Sequence, residues 1–170
     1  MDTQTLAAVT HEIISNHGFS EVRRNLTNNQ NALFALKTFQ PGEVICDFYA
    51  GGIYTTPTYL TVQTGINRHI TLQPEFLQYI NHSCEPNVFF DTTTMQLICL
   101  RPLNGDDELT FFYPSTEWDM AQPFNCYCGS EHCLGEIRGA AYLSANCISQ
   151  YRLTDFIQRQ LHERATEKRA

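Results

Sequence analysis

Hydrophobic positions along the chain change their spacing near residue 31, and this change separates two kinds of predicted element. Over residues 3–17 apolar side chains recur at helical spacing, which predicts an amphipathic helix that ends at Gly18. A polar, asparagine-rich stretch follows over residues 23–31. From Ala32 onward the apolar runs are short and are separated by frequent turn residues, which is the pattern of short strands.

The short apolar runs predict a series of strands, each bounded by turn-forming residues. These strands are predicted over residues 33–36, 44–49, 53–54, 59–62, 69–72, 87–90, 96–101 and 108–113. Residues 74–79 predict a short helix or tight turn, because proline suits the first helical position. Apolar spacing predicts a last helix over residues 153–167. Many strands with helices mainly near the ends indicate a β-rich α+β fold.

Composition places the chain among soluble globular proteins, with 170 residues of which 42% are hydrophobic. No apolar run approaches the roughly 20 residues that span a bilayer, and the first 20 residues lack the pattern of a secretion signal. We therefore expect an intracellular protein, cytoplasmic or nuclear, without a membrane partner. The net charge of −7 argues against direct binding to nucleic acid and suits a basic peptide, although such a charge also serves solubility.

The cysteines indicate a metal site more than a disulfide framework, because their number is seven and therefore odd. Cys126, Cys128 and Cys133 form a C-x-C-x4-C pattern whose thiolates can converge on one tetrahedral zinc if a fourth ligand joins them. Cys84 is the first choice for this ligand, and His132 is the local rival. With four protein ligands no position is open to water, so the zinc would be structural.

The polar segment over residues 81–87 is the most informative stretch of the chain. It reads Asn-His-Ser-Cys-Glu-Pro-Asn and follows an apolar pair. Such side chains are costly to bury unless they form hydrogen bonds. Taken by itself, the segment is explained equally well as a polar turn between two strands.

Four motifs, taken in chain order, resemble those of a known family. Residues 49–51 resemble a Y-x-G motif, and residues 81–87 match N-H-S-C-x-P-N. Residues 108–113, E-L-T-F-F-Y, resemble E-L-T-F-D-Y, and residues 126–133 resemble a post-SET cysteine motif. By these motifs the chain is identified as a member of the SET-domain protein-lysine methyltransferases that carry a post-SET zinc motif.

The resemblance implies a fold of short curled sheets with a post-SET zinc loop and terminal helices. It implies an N-terminal helix in residues 1–22, a SET domain over residues 23–118, a post-SET zinc-binding loop over residues 119–138 and a helical extension over residues 139–170. The implied activity is methyl transfer from S-adenosylmethionine to a lysine amine of a protein or peptide, with histones among the candidate substrates.

The resemblance also implies a role for particular residues. Tyr113 would be the catalytic tyrosine and Tyr49 would line the lysine channel. The remaining roles are cofactor binding by Ala32, Phe34, Ala35, Asn81 and His82, the substrate channel at Phe90 and Phe111, and zinc ligation by Cys84, Cys126, Cys128 and Cys133.

Two departures from the family pattern keep other functions open. Residues 30–32 read Gln-Asn-Ala where the family has G-x-G, and Phe112 stands where many members have aspartate. One alternative is a non-catalytic binding module, which the missing glycines favour and the retained Tyr113, Asn81 and His82 oppose. The other is an enzyme that uses the same pocket for a small molecule, which the short segment between the first two motifs permits.

Overall fold

The computed structural model describes residues 10–167 as a β-rich fold in which small sheets surround one main hydrophobic core. Within these residues no sheet has more than three strands. The strands are β1 (His11–Asn16), β2 (Ser20–Asn25), β3 (Asn31–Ala35), β4 (Val44–Asp47), β5 (Tyr49–Tyr54), β6 (Thr61–Gly65), β7 (Arg68–Gln73), β8 (Asn81–His82), β9 (Val88–Asp91), β10 (Gln96–Cys99), β11 (Thr110–Phe111), β12 (Phe124–Asn125) and β13 (Glu136–Ile137). The expected β-rich fold is confirmed.

The helices are short except for the last one. Two α-helices, α1 (Ala145–Ile148) and α2 (Asp155–Glu167), accompany 3₁₀ turns at Glu75–Tyr79, Tyr113–Ser115 and Ala140–Tyr142. Helix α2 confirms the predicted last helix and buries Phe156 and Ile157. Among residues 10–167, the structure contains no helix with the length and apolar character that a membrane crossing requires.

The predicted helix over residues 3–17 is wrong where the structure describes it, because β1 occupies its second half. Residues 3–9 of that prediction lie outside the described part of the chain. Strand β1 pairs antiparallel with β2, and Gly18, with a φ of +82°, belongs to the hairpin turn. Ile13 and Ile14 are 61% and 40% exposed, so they do not form a buried helical face. Pairing with β2 outweighs the local helical spacing.

Strand β2 also changes the interpretation of the polar stretch before β3. Val22 is fully buried and lies opposite Leu33 across the β2–β3 pair. The neighbouring Ser20 and Glu21 are buried as well. One apolar residue in register with the core is therefore enough to hold a strand that is otherwise polar.

Two of the sequence motifs lie side by side in the fold. Strands β8 and β11 pair in parallel, with Asn81 opposite Thr110 and His82 opposite Phe111. An isolated bridge between Phe34 and Glu108, two residues before β11, joins β3 to the same region. Residues that are far apart along the chain thus meet at one place, which positions the candidate site.

The segment after β13 packs against this place through Tyr151. The Tyr151 ring stacks on Phe112 with 3.7 Å between ring centroids, and its hydroxyl donates a hydrogen bond to the carbonyl of Cys84 at 2.9 Å. Phe112 is only 2% exposed. An apolar residue suits the position where the family often has aspartate, because an aromatic ring covers it here.

Candidate active site and metal centre

The four predicted zinc ligands come together in the fold. The sulfur atoms of Cys84, Cys126, Cys128 and Cys133 all lie within 4.8 Å of one another. Four sulfurs bound to one zinc at about 2.3 Å would be about 3.8 Å apart, so small side-chain movements suffice to close the site. Within residues 10–167 no histidine or carboxylate joins this cluster, so the rival ligand His132 is not part of it.

The protonation of the thiols also fits a metal ion. Burial raises the pKa of Cys126 to about 11 and, together with the neighbouring thiols, raises the pKa of Cys84 above its ordinary range. Burial opposes ionisation of Cys128, but backbone hydrogen bonds from Cys84 and Ser130 outweigh it and lower the pKa of Cys128 to about 6. Clustered thiols cannot all ionise beside one another unless a cation compensates their charge. The cluster could therefore hold zinc.

His82 connects the cysteine cluster to Tyr113. The backbone N–H of Tyr113 donates a hydrogen bond to Nδ1 of His82 at 3.2 Å, so Nδ1 carries the lone pair. Burial lowers the pKa of His82 to about 4, and the neutral ring therefore has its proton on Nε2. Nε2 lies 3.4 Å from the sulfur of Cys84. The imidazole thus bridges a sulfur of the cluster and the backbone of the predicted catalytic tyrosine.

A cavity of about 300 Å³ lies beside Tyr113. Its wall is mainly apolar and aromatic, and it includes Leu72, Leu77, Ile80, Phe111 and Phe124. The Tyr113 hydroxyl donates a long hydrogen bond, 3.4 Å, to the carbonyl of Ile80. Burial, reinforced by the negative charge of Glu108, raises the pKa of Tyr113 to about 12, so the hydroxyl is neutral near pH 7. One neutral hydroxyl is therefore held at the edge of an apolar cavity.

Aromatic rings surround Tyr113 on several sides. Phe111 and Phe124 lie with their ring centroids 4.6 Å and 5.9 Å from that of Tyr113. Phe90 packs edge-to-face on Phe111 at 4.8 Å and is fully buried behind it, outside the lining of the cavity. Tyr49 is 63% exposed at the start of β5 and does not line this cavity, so its role in the substrate channel stays a prediction.

The residues predicted to bind the cofactor lie in β3 and β8. The Asn81 amide donates to the carboxylate of Glu108 at 3.0 Å and to the carbonyl of Asn31 at 3.2 Å. These bonds place β8 beside the start of β3, where Ala32, Phe34 and Ala35 are buried. Asn31, Asn81 and His82 each keep part of their surface exposed. Partly exposed polar groups beside aromatic rings suit an amphipathic cofactor, which they would contact mainly through backbone atoms.

The turn before β3 does not need the glycines that the family pattern leads one to expect. Among the non-glycine residues of this turn, Asn29 alone has a positive φ, +59°. Asparagine is well tolerated in this left-handed region, because its short polar side chain bonds locally. The absence of glycine from residues 30–32 is therefore compatible with the backbone that the structure shows.

Sequence reasoning missed Glu117, which lines the cavity and is only 7% exposed. Its Oε1 accepts hydrogen bonds from the backbone N–H of Gln63 at 2.9 Å and from the Thr116 hydroxyl at 3.2 Å. Burial raises the pKa of Glu117 from its ordinary 4.5 to about 7. No local pattern marks this residue, because a single glutamate after a strand is usually a solvated surface residue.

Glu117→Gln is expected to change how stability depends on pH. The folded-state pKa of Glu117, about 7, lies above its ordinary 4.5, so the wild-type free energy of unfolding should fall by about 3 kcal/mol as pH rises between these values. Glutamine removes this fall, so the variant should match the wild type near pH 5 and exceed it at pH 8. Urea denaturation at both pH values measures the difference.

The control for this pH effect is Asp119→Asn, which removes a carboxylate from an exposed position two residues away. Its stability difference from the wild type should be small and similar at pH 5 and pH 8, because an exposed carboxylate is well solvated in both states. A Glu117→Gln variant that is no more stable than the wild type at pH 8 would contradict the assigned burial of the charge.

Comparison with known proteins supports one family. Residues 30–114 match the family model of the SET domain. Methyltransferase flvH of Aspergillus flavus is 50% identical over 103 residues, which cover 59% of this chain and 57% of that protein. The H3 lysine-36-specific histone-lysine N-methyltransferase of Schizosaccharomyces pombe is 32% identical over 94 residues, which cover 51% of this chain and 12% of that protein. A SET and MYND domain-containing protein of Dictyostelium discoideum is 37% identical over 71 residues, which cover 35% of this chain and 20% of that protein.

Proposed function

Because this chain belongs to the SET domain family, we propose that it transfers a methyl group from S-adenosylmethionine to an amine nitrogen. A lysine side chain of a protein, with histones among the candidates, is the leading substrate. The observation that carries the proposal is the neutral hydroxyl of Tyr113 at the edge of an apolar, aromatic-walled cavity. The matched region of this chain spans at most 57% of the length of each relative named above, so the activity and substrate of the whole protein are proposals.

The apolar part of the cavity wall would act on the charge of the amine. Methyl transfer needs a nitrogen lone pair, whereas a free lysine amine has a pKa near 10.4 and is charged at neutral pH. An apolar wall disfavours the ammonium form and lowers that pKa. The cavity wall, which includes the rings of Phe111 and Phe124, would also exclude water. The amine would therefore approach the methyl donor without a hydration shell.

Tyr113 would orient the amine. Its single O–H donates to the carbonyl of Ile80, and the oxygen lone pairs remain available to accept an N–H of the substrate. His82 holds the backbone of Tyr113 in place through Nδ1. When bound, S-adenosylmethionine supplies an activated methyl group on its sulfonium sulfur. Asn31, Asn81 and His82, with the buried Ala32, Phe34 and Ala35 beneath them, are the residues proposed to hold this cofactor.

Zinc is proposed as the second bound group, with a structural role. Cys84, Cys126, Cys128 and Cys133 would ligate it, and residues 119–138 would form the post-SET loop around it. Phe124 of this loop lies near His82, with ring centroids 5.5 Å apart, and lines the cavity. Metal binding would therefore hold one wall of the cavity in place, beside a SET domain proposed over residues 23–118. By its family we propose an intracellular location, in the cytoplasm or nucleus.

A second candidate substrate is a small-molecule amine. The cavity volume of about 300 Å³ is at the lower end of the size of small-molecule pockets, which favours this candidate. In that case the same residues would perform the same transfer, but a free amine would take the place of a peptide lysine. A non-catalytic binding module is less well supported, because Asn81, His82 and Tyr113 are all retained and His82 accepts a hydrogen bond from the backbone of Tyr113.

Binding and product analysis test the proposal. We expect calorimetric titration of the zinc-loaded chain with S-adenosylmethionine to show saturable binding at one site. We then expect mass spectrometry to detect methylated product after incubation with the cofactor and either histone proteins or a panel of alkylamines. Methylated protein identifies the leading substrate class, and methylated amine alone identifies the second. Absence of S-adenosylmethionine binding would contradict both methyltransferase proposals, and the non-catalytic binding module would be the remaining function.

A further inference from the structure

Among the described residues that line the cavity beside Tyr113, Glu117 is the only one with a carboxylate. The other ionisable groups of that lining are the hydroxyls of Tyr59 and Tyr113, and no lysine, arginine or histidine belongs to it. The cavity therefore presents one potential negative charge without a protein cation to pair with it. A buried carboxylate in such surroundings is costly unless a partner compensates it.

One oxygen of Glu117 is engaged by the protein and the other is not. Oε1 accepts from the backbone N–H of Gln63 and from Thr116, while Oε2 accepts no hydrogen bond from the described residues. The backbone around it is firmly held: Trp118 N–H donates to the side-chain oxygen of Gln63 at 3.0 Å, and Glu117 N–H donates to the carbonyl of Tyr113 at 3.1 Å. The free oxygen thus belongs to a preorganised group and not to a mobile side chain.

Within residues 10–167 no charged side chain contributes to the raised pKa of Glu117. Strand β6 carries Gln63 but no ionisable side chain between Thr61 and Gly65. Across the β6–β7 pair, His69 lies opposite Gln63, and burial lowers its pKa so that it is neutral. The pKa of Glu117 is raised by burial alone, with only its two hydrogen bonds in opposition. A cation brought by a ligand would relieve the cost of this burial.

We propose that Glu117 makes the cavity an alkylammonium-binding site, in which its carboxylate accepts a hydrogen bond from the charged amine of the substrate. This inference rests on the proposed function, in which Tyr113 acts on an amine in this cavity. Glu117 is the residue that would select an amine carrying a positive charge. Two sources supply the same chemistry, a lysine side chain of a protein and a free alkylamine. Glu117 would bind the ammonium form as it enters, and the amine would then release its proton to solvent water at the open side of the cavity before the neutral nitrogen reaches Tyr113.

The test compares n-butylammonium chloride, the charged probe, with 1-butanol, its uncharged counterpart. Each is titrated into the zinc-loaded chain at pH 8, and binding is followed by NMR. We expect the ammonium to bind at least about 10-fold more tightly than the alcohol and to shift resonances within residues 113–124. In Glu117→Gln this preference should disappear, whereas Asp119→Asn should keep it. Glutamine can still accept the bonds from Gln63 and Thr116, so this variant should fold.

The pH dependence and kinetics give independent readouts. Ammonium binding should strengthen as pH rises through the pKa of Glu117, about 7, since only the ionised carboxylate attracts the cation, and this dependence should vanish in Glu117→Gln. With whichever substrate is methylated, protein or free amine, the variant should raise KM about 10-fold with little change in kcat. A fall in kcat at unchanged KM would overturn the assignment.

These outcomes separate the inference from the proposed function. Equal binding of ammonium and alcohol by the wild type, or full ammonium affinity in Glu117→Gln, overturns the inference while methyl transfer still stands. If the wild type methylates nothing yet binds n-butylammonium through Glu117, the alkylammonium site stands and the proposed function fails.

Discussion

Tyr113→Phe is expected to reduce methyl transfer by about 10²- to 10³-fold, the range seen when one well-placed hydrogen-bonding group is removed from an active site. The variant loses the only side-chain atom of Tyr113 that can accept an N–H of the incoming amine. The bond that is lost inside the protein, from the hydroxyl to the carbonyl of Ile80, is long at 3.4 Å. Its removal should therefore cost at most about 1 kcal/mol of stability.

The measurements for Tyr113→Phe are the rate of methyl transfer, the zinc content, the denaturation midpoint and the affinity for S-adenosylmethionine. Only the rate should change strongly, because the ring and its aromatic contacts remain. Tyr142→Phe is the matched control: this tyrosine is 49% exposed, belongs to another 3₁₀ turn and does not line the cavity. Undiminished transfer by Tyr113→Phe would remove this hydroxyl from the mechanism.

Cys84→Ser is expected to lower zinc occupancy from about one per chain as severely as Cys126→Ser does. Four sulfurs within 4.8 Å of one another form one site, so losing either ligand leaves an incomplete tetrahedron. The free energy of metal binding is also folding free energy for a loop of this kind. Residues 119–138, which have only the short β12–β13 pair as regular structure, should become open to proteolysis when zinc is removed.

Loss of zinc should also disturb the cavity beside Tyr113. Phe124 lies in the cysteine loop and lines the cavity, and His82 connects the sulfur of Cys84 to the backbone of Tyr113. Chelation of zinc should therefore lower methyl transfer together with protease resistance, and added zinc should restore both. Zinc content measured by atomic emission, with limited proteolysis alongside, follows the two effects.

Two controls sharpen the zinc prediction. Cys147→Ser changes a half-buried thiol outside the cluster and should leave zinc content unchanged. His132→Ala should also leave it unchanged, since this ring does not join the four sulfurs. If His132→Ala released zinc and Cys84→Ser did not, the fourth ligand would be the histidine.

The sequence predicted much of the strand pattern after residue 31 because apolar residues there cluster in short runs between turn residues. It failed before that point, where β1 and β2 form. Those strands are defined by pairing across the sheet, and Val22 alone anchors β2 in the core. The helical spacing over residues 3–17 was a local signal that this pairing overrides in its second half.

The candidate site divides in the same way. Asn81, His82 and Tyr113 could be named from motifs, because the identity of each residue at a given spacing is itself the signal. The hydrogen bond from the Asn81 amide to Glu108, the bridge made by His82 and the cover that Tyr151 places over Phe112 join positions 27 or more residues apart. Contacts between residues so far apart in the sequence produce no periodic pattern of residue types from which they could be predicted.

By itself the sequence determined the family and the thiols that could hold a metal, because both depend on which residues occur and how they are spaced. Only the tertiary structure decided that Cys84 and not His132 completes the sulfur cluster, and that Tyr49 lies away from the cavity. It also decided that Glu117, an ordinary glutamate along the chain, has one oxygen free in an apolar cavity. Burial sets the free energy needed to ionise a carboxylate, and the approach of distant segments sets which side chains a ligand can contact. Both depend on the folded structure, so neither follows from the position of a residue in the sequence.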